Sequence, residues 1–263
     1  VPDSTAPRLR VLLGATLLCT ALAGCTGGSP PPGPTTTAAA PTATRATSPG
    51  TSTPTAPVRP EVPSADDVRA GTRVRSHGAT IWVAPQADVS MSSKKLADGS
   101  VRLTFHDRRG LPGDEPLAYA TGSDLSAFAD GSALAGGGGL APTNASLAAS
   151  GDDLLALTDG PTDGTAKVWF TGEAVAKTSW GTREGGRSLA VTPTDWARVG
   201  SLAASELTWS QLIADEPEAD SPTMREQLSC HELGAPDKAT WNLEPWRPDV
   251  GALAMISARC NPT

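Results

Sequence analysis

From Thr26 to Pro63 the chain is built almost entirely of Pro, Thr, Ser, Ala and Gly, and this stretch decides how much of the protein can fold. Such a segment cannot bury enough apolar surface to offset the entropy lost in ordering it. It reads as a tether. Its length corresponds to about 34 Å as a flexible coil and up to about 120 Å as extended polyproline II. Folding is thereby confined to residues 64–263, enough chain to bury a full hydrophobic core as one large domain or two small ones.

Upstream of the tether, Arg8 and Arg10 precede an uncharged apolar run from Val11 to Ala23. As a helix that run reaches roughly 20 Å, short of a bilayer core of about 30 Å. It therefore reads as the apolar region of a signal peptide covering residues 1–24. The run ends in Leu22-Ala23-Gly24-Cys25, which resembles a bacterial lipobox, where the cysteine thiol takes a diacylglyceryl group. The expectation is an exported protein, lipid-anchored through Cys25 to the outer face of the cytoplasmic membrane or the cell envelope. The rival reading, cleavage after Ala21-Leu22-Ala23, releases a soluble product.

The whole chain carries a net charge of −7, and because residues 1–25 and 26–63 each carry +1, residues 64–263 carry −9. An acidic domain without a basic run is a poor match for nucleic acid or anionic lipid. With Cys19 in the signal and Cys25 assigned to lipid, Cys230 and Cys260 remain, in an oxidising compartment. Two thiols are too few for a structural zinc site and are expected to form a disulfide. In the chain-entropy description that crosslink contributes roughly 3 kcal/mol.

Residues 64–175 read as β-rich. Ile81-Trp82-Val83 and Val168-Trp169-Phe170 are strand candidates, and Val101, Leu103 and Phe105 alternate with polar residues at the period of a half-buried strand. Asp98-Gly99 signals a two-residue hairpin turn, and its tripeptide recurs at Ala129-Asp130-Gly131. Gly136 to Gly139 read as a flexible loop. Glu184-Gly185-Gly186-Arg187 reads as the turn of a hairpin between Trp180 and Val191. Further on, Leu202, Trp209, Leu212 and Ile213 form a helical stripe, ended by Glu216-Pro217. Ser221 and Pro222 are suited to cap and open a second helix, which places Met224, Gln227, Leu228 and His231 on one face. Val250 to Arg259 reads as a closing strand. The expected class is α+β: an antiparallel β-rich N-terminal part, then a hairpin, two short helices and a closing strand, with 176–263 as a C-terminal module.

Five blocks in that module carry a resemblance: Ser188 to Trp196 (SLAVTPTDW), Met224 to Gln227 (MREQ), Cys230-His231, Trp241 to Gly251 (WNLEPWRPDVG) and Cys260-Asn261-Pro262. In these residues and their order, Trp180 to Pro262 resembles an uncharacterised family of secreted bacterial proteins, domain of unknown function 2599. The resemblance implies export and this module; it implies no activity. Residues 64–175 fall outside it.

His231 is the leading chemical candidate, a side chain that titrates near neutrality beside Glu232 and one turn from Gln227. Its face is shared with Met224 and Leu228, so a buried core histidine is the plainer reading. Glu184 and Glu244 could serve as catalytic carboxylates if held about 5–10 Å apart, or could form ion pairs with Arg187 or Arg247. No G-x-S-x-G or H-E-x-x-H string occurs. His77, His106 and His231 are scattered, so neither a metal nor a cofactor is expected. Seven tryptophans against three phenylalanines and one tyrosine suit either core packing or a recognition surface. Pro245 and Pro248 make Trp241, Trp246 and Arg247 the binding candidates. Asn144-Ala145-Ser146 fits a glycosylation acceptor without further support. These features favour a surface-tethered binding or interaction module, recognising wall glycan or an envelope protein. The alternatives are an envelope hydrolase using His231 with a nearby carboxylate, or a structural envelope component.

Overall fold

The alternation at Val101, Leu103 and Phe105 becomes strand in the computed structural model, which describes residues 61–109, 115–159 and 164–263. Cys25 and nearly all of the tether lie outside the described residues. The fold opens with a short helix α1 (Ala65–Arg69), started by a capping box between Ser64 and Asp67. Eleven strands follow: β1 (Thr72–Ser76), β2 (Ala79–Pro85), β3 (Val89–Lys95), β4 (Val101–Asp107), β5 (Pro116–Thr121), β6 (Ser126–Ala127), β7 (Ala133–Ala135), β8 (Gly138–Thr143), β9 (Ala145–Ala149), β10 (Leu155–Asp159) and β11 (Thr165–Thr171).

They form two antiparallel sheets, ordered β1-β2-β5-β10-β9 and β3-β4-β11-β8-β7-β6. Ile81, Leu117, Leu155 and Leu157 of the first share one apolar cluster with Leu103, Phe105, Val168 and Phe170 of the second. The two sheets therefore enclose a common core, as in a sandwich. Each of these large side chains contributes on the order of 1.5–3 kcal/mol by leaving water.

The repeated Ala-Asp-Gly string is a repeated turn. Leu96 and Ser100 close a three-residue loop over Ala97-Asp98-Gly99, and Phe128 and Ser132 close the same loop over Ala129-Asp130-Gly131. In each, the aspartate accepts from the serine backbone N–H at 3.0 Å and from its hydroxyl at 2.6 Å. Asp98-Gly99 thus belongs to a three-residue loop with its glycine at positive φ; the two-residue turn expected there is corrected. Gly136 to Gly139 also differ from expectation. Gly136 and Gly137 make the two-residue turn between β7 and β8, both at positive φ. Gly138 and Gly139 begin β8, and a Cβ on Gly139 would lie 2.1 Å from the Trp196 ring. These glycines admit close packing rather than flexibility.

The C-terminal part adds the expected hairpin, β12 (Val175–Arg183) and β13 (Gly186–Pro193), with its turn confined to Glu184-Gly185, since Gly186 and Arg187 of the expected turn already pair in β13. Helix α2 (Leu202–Asp215) and helix α3 (Pro222–Gly234) follow, then β14 (Trp241–Leu243), which pairs with β13, and helix α4 (Ala252–Ser257). Leu189, Val191, Leu212, Met224, Leu228, Trp241 and Leu243 form the core of this part. The second helix starts as expected, with the Ser221 side chain accepting from the Met224 N–H and Pro222 in the first turn.

Two element readings change. The buried face of α2 is Ala203, Ala204, Leu207, Thr208 and Leu212, while Leu202 is exposed and Trp209 half-buried. Small alanines let the helix approach the sandwich closely, where Ala203, Ala204 and Leu207 pack with Trp196 and Ala141 of β8. The expected closing strand over Val250 to Arg259 is instead α4, and the third strand of the sheet is β14. Ala, Leu and Met favour helix in a short apolar run whose periodicity is ambiguous.

The start of α2 is tied to the sandwich through the second Ala-Asp-Gly turn. Leu202 N–H donates to Asp130 at 2.7 Å, Ala203 N–H to Ser132 Oγ at 3.0 Å, and Ala204 N–H to Ser201 Oγ at 3.1 Å. The donors that a helix N-terminus leaves unpaired are here met largely by another element.

Candidate functional site

The site is built from the turn after β14 and the turn between β12 and β13. Glu244-Pro245-Trp246-Arg247 closes as a turn, the Arg247 N–H donating to the Glu244 carbonyl at 3.2 Å, with proline at the position that suits its fixed φ. The turn buries Arg247, which is 2% exposed. Its Nε donates to Glu244 Oε2, Nη2 to Glu184 Oε2 at 2.9 Å, and Nη1 to the Pro262 carbonyl at 3.0 Å. The other Glu244 oxygen accepts from Ser188 Oγ at 3.3 Å and lies 3.9 Å from Arg183 Nε. From α3, the Gln227 amide donates to the Glu244 carbonyl and accepts from its N–H, both at 2.9 Å.

Burial works against the charged guanidinium of Arg247, but the hydrogen bonds it donates to Glu244 and Glu184 outweigh it and hold its pKa above the ordinary value. Trp246 stacks on Arg247 at 4.5 Å and covers Gly186, where a Cβ would lie 2.2 Å from the indole nitrogen. Glu184, Glu244, Arg247 and Trp246, singled out separately in sequence, thus meet in one place. What they form is a clamp between two turns, and both carboxylates are engaged by the same arginine.

Trp241 goes elsewhere. It is buried, and its indole N–H donates to the Ala235 carbonyl at 3.0 Å. Five of the seven tryptophans lie against an arginine: Trp169 with Arg102, Trp180 with Arg187, Trp209 with Arg225, Trp241 with Arg198 and Trp246 with Arg247. Trp246, at 42% exposure, keeps the largest free surface among them.

His231 lies on α3 among Met224, Gln227 and Leu228, all buried with it. Its Nε2 is 3.0 Å from the Asn242 carbonyl, which can only accept, so the hydrogen of the neutral ring sits on Nε2. The Nδ1 atom is buried without a hydrogen-bond partner. Burial depresses the pKa, so the neutral ring is favoured. No hydrogen bond joins His231 to Glu184 or Glu244.

Two pockets have His231 among their walls. One, about 270 Å³, is lined by Arg183, His231, Lys238, Asn242 and Asn261 with Ala239 and Thr240. The other, about 350 Å³, has Leu233, Ile256, Arg259 and the Cys230–Cys260 disulfide among its walls, and it shares His231 and Lys238 with the first. The disulfide (S–S 2.05 Å, Cα–Cα 5.6 Å) binds α3 to the segment after α4. Arg198 holds the 236–239 segment of the wall, its guanidinium donating to the carbonyls of Pro236, Lys238 and Ala239.

Arg183, Lys238, Asn242 and Asn261 were not singled out in sequence. Asn242 and Asn261 fall inside the family-like blocks, whereas Arg183 and Lys238 carry no local signal. Among the described residues, no group of three or more His, Cys, Asp or Glu side chains is placed to hold a metal ion.

Comparison with known proteins places these features. An uncharacterised protein of Mycobacterium tuberculosis is 42% identical over 83 residues, covering 28% of this chain and 56% of the relative. One of Mycobacterium bovis gives the same figures, and one of Mycobacterium leprae is 33% identical over 81 residues, covering 29% and 60%. The chain thus spans somewhat over half the length of the curated relatives it matches. No solved structure matches it. Residues 175–263, the stretch that contains the clamp, the disulfide and both pockets, match the family described as "Protein of unknown function (DUF2599)".

Proposed function

We propose that the protein is an exported, lipid-anchored binding module of the cell envelope, with its ligand site in the double pocket at His231. The observation that carries this reading is the lining of that cleft. Arg183, Lys238 and Arg259 bring cationic groups and Asn242 and Asn261 bring amides, and no carboxylate is among the described lining residues. A concave site with a few convergent polar groups is the usual form of a small-ligand site. The binding reading is favoured over the hydrolase reading because Glu184 and Glu244 are tied up on Arg247 and neither is hydrogen-bonded to His231. Export and anchoring through Cys25 rest on the signal-like N-terminus, and the tether would hold the domain away from the membrane.

The test uses the full chain in a thermal-shift screen against wall fragments and glycans. A ligand at 100 times its dissociation constant raises stability by about 2.7 kcal/mol. Any shift should disappear in an Arg183→Ala, Lys238→Ala double variant. An undiminished shift in that variant would place the site elsewhere, and a ligand consumed during incubation would restore the hydrolase reading.

A further inference from the structure

The two pockets at His231 differ in character, and their difference points to one kind of ligand. Resting on the binding-module reading, we infer that the cleft takes an amphipathic anion: a single carboxylate or phosphate group joined to an apolar segment. The anionic group sits between Arg183, Lys238 and Asn261, and the apolar segment lies over Leu233, Ile256 and the Cys230–Cys260 disulfide.

Charge supports the first half. Residues 64–263 carry a net −9, yet the described residues of the cleft walls include the cations Arg183, Lys238 and Arg259 and no acidic side chain. A local reversal of charge in an acidic domain focuses field on an anion. Arg183 retains spare capacity for one. It is half-exposed, and its approaches to Glu184 and Glu244 are 4.0 and 3.9 Å, longer than hydrogen bonds. Lys238 is exposed on a segment whose backbone carbonyls are held by Arg198, so the ammonium is presented from a fixed rim.

Exposed apolar surface supports the second half. Leu233 is 75% exposed, Leu253 84% and Ile256 49%. They gather on the last turn of α3 and on α4, elements crosslinked by the disulfide. Leu233 and Ile256 face the second pocket, and Leu253 lies one turn from Ile256 on α4. An apolar pocket that shares His231 and Lys238 with a cation-lined one suits a ligand with an anionic head and an apolar continuation. The segment forming the far wall is held in an unusual backbone: Arg259 and Cys260 both have positive φ, at 53° and 65°. Neither is glycine, so the disulfide and the Cys260 N–H bond to the Met255 carbonyl hold a conformation that costs free energy.

The probe is n-octyl phosphate below its micelle-forming concentration, titrated calorimetrically into the full chain. Inorganic phosphate and n-octyl glucoside serve as the anion-only and chain-only comparisons. Octyl phosphate should bind at least roughly tenfold more tightly than either, and more weakly as salt rises. Lys238→Glu should weaken it by about tenfold, and Leu233→Ser should weaken octyl phosphate while leaving inorganic phosphate unchanged. Both positions are exposed, so unchanged melting temperatures will show that the variants remain folded. Equal affinity for inorganic and octyl phosphate would overturn the apolar half. Equal affinity for octyl glucoside and octyl phosphate would overturn the anionic half. Binding of none of the three overturns the inference entirely, while a wall-glycan fragment lost in the Arg183→Ala, Lys238→Ala variant would still leave the binding-module reading standing.

Discussion

Arg247 shows how a charged residue can be fully withdrawn from water and still be held firmly. It is buried beside the wholly buried Glu244 and also serves Glu184 and the Pro262 carbonyl. Removing one member of such a pair leaves the other charge desolvated and alone. Arg247→Ala is expected to cost about 3–5 kcal/mol in urea unfolding. Adding Glu244→Leu should restore part of that loss, since the stranded carboxylate is then gone. His231 supplies a second residue-level expectation. Its folded-state pKa lies below the ordinary value because the ring is buried, so on acidification the unfolded chain takes up the proton first. Its contribution to stability is complete above a pH of about 6.5 and is lost as pH falls from there. Burial raises the neighbouring Glu232 carboxyl, which acts in the opposite sense by favouring the protonated fold at lower pH. The His231→Gln difference isolates the ring: wild type should lose stability relative to the variant between pH 7.5 and 5.5. A constant difference across that range would show that the ring does not titrate differently in the two states.

Among the elements, the two Ala-Asp-Gly-Ser turns test how one local motif acquires different weights. Both aspartates cap their own loops in the same way, but Asp130 also accepts from the first N–H of α2. Hydrogen bonds from Ser132 and Leu202 hold its carboxyl below the usual range although burial pushes the other way. Asp130→Ala is expected to cost about 1–2 kcal/mol, and more than Asp98→Ala, because it also uncaps a helix. Equal losses in chemical denaturation would mean that the bond to α2 adds nothing. The turn motif was legible as a repeat of three residues; its link to α2 was not, because residues 130 and 202 are far apart in sequence. The helix itself was legible, but of its expected apolar stripe only Leu212 is fully buried, because the small side chains of Ala203 and Ala204 are what let α2 lie close to the sheet.

For the molecule as a whole, described residues from Glu61 to Thr263 fall within one compact unit, and Trp196 lies between the sandwich and α2. Its indole N–H donates to the Trp169 carbonyl at 3.0 Å, and its ring covers Gly139. The disulfide acts between α3 and the segment after α4. Cys230→Ser with Cys260→Ser should reduce stability by about 3–4 kcal/mol, through the freed loop in the unfolded chain. Because α4 and Arg259 form the wall of the second pocket, the same variant should bind octyl phosphate more weakly while retaining affinity for inorganic phosphate. Calorimetry on the unmodified and double-serine chains separates these effects.

The sequence by itself determined features that depend on neighbouring residues or on a single possible partner. These include the alternation of β4, the hairpin between Trp180 and Val191, the start of α3 at Ser221-Pro222, and the pairing of Cys230 with Cys260. Local conformational preference and hydrophobic period act over a few residues, so they can be read without a structure. Only the tertiary structure decided that Val250 to Arg259 contains a helix, that Glu184 and Glu244 share Arg247, and that Trp241 is core. It alone assembled Arg183, Lys238, Asn242 and Asn261 around His231. Those residues come from a hairpin end, a loop, a short strand and the segment after α4; Asn242 and Asn261 lie in the family-like blocks, whereas Arg183 and Lys238 carry no local signature. Their proximity is set by how the sheet, α3 and the disulfide pack, a long-range property that no short window of sequence contains.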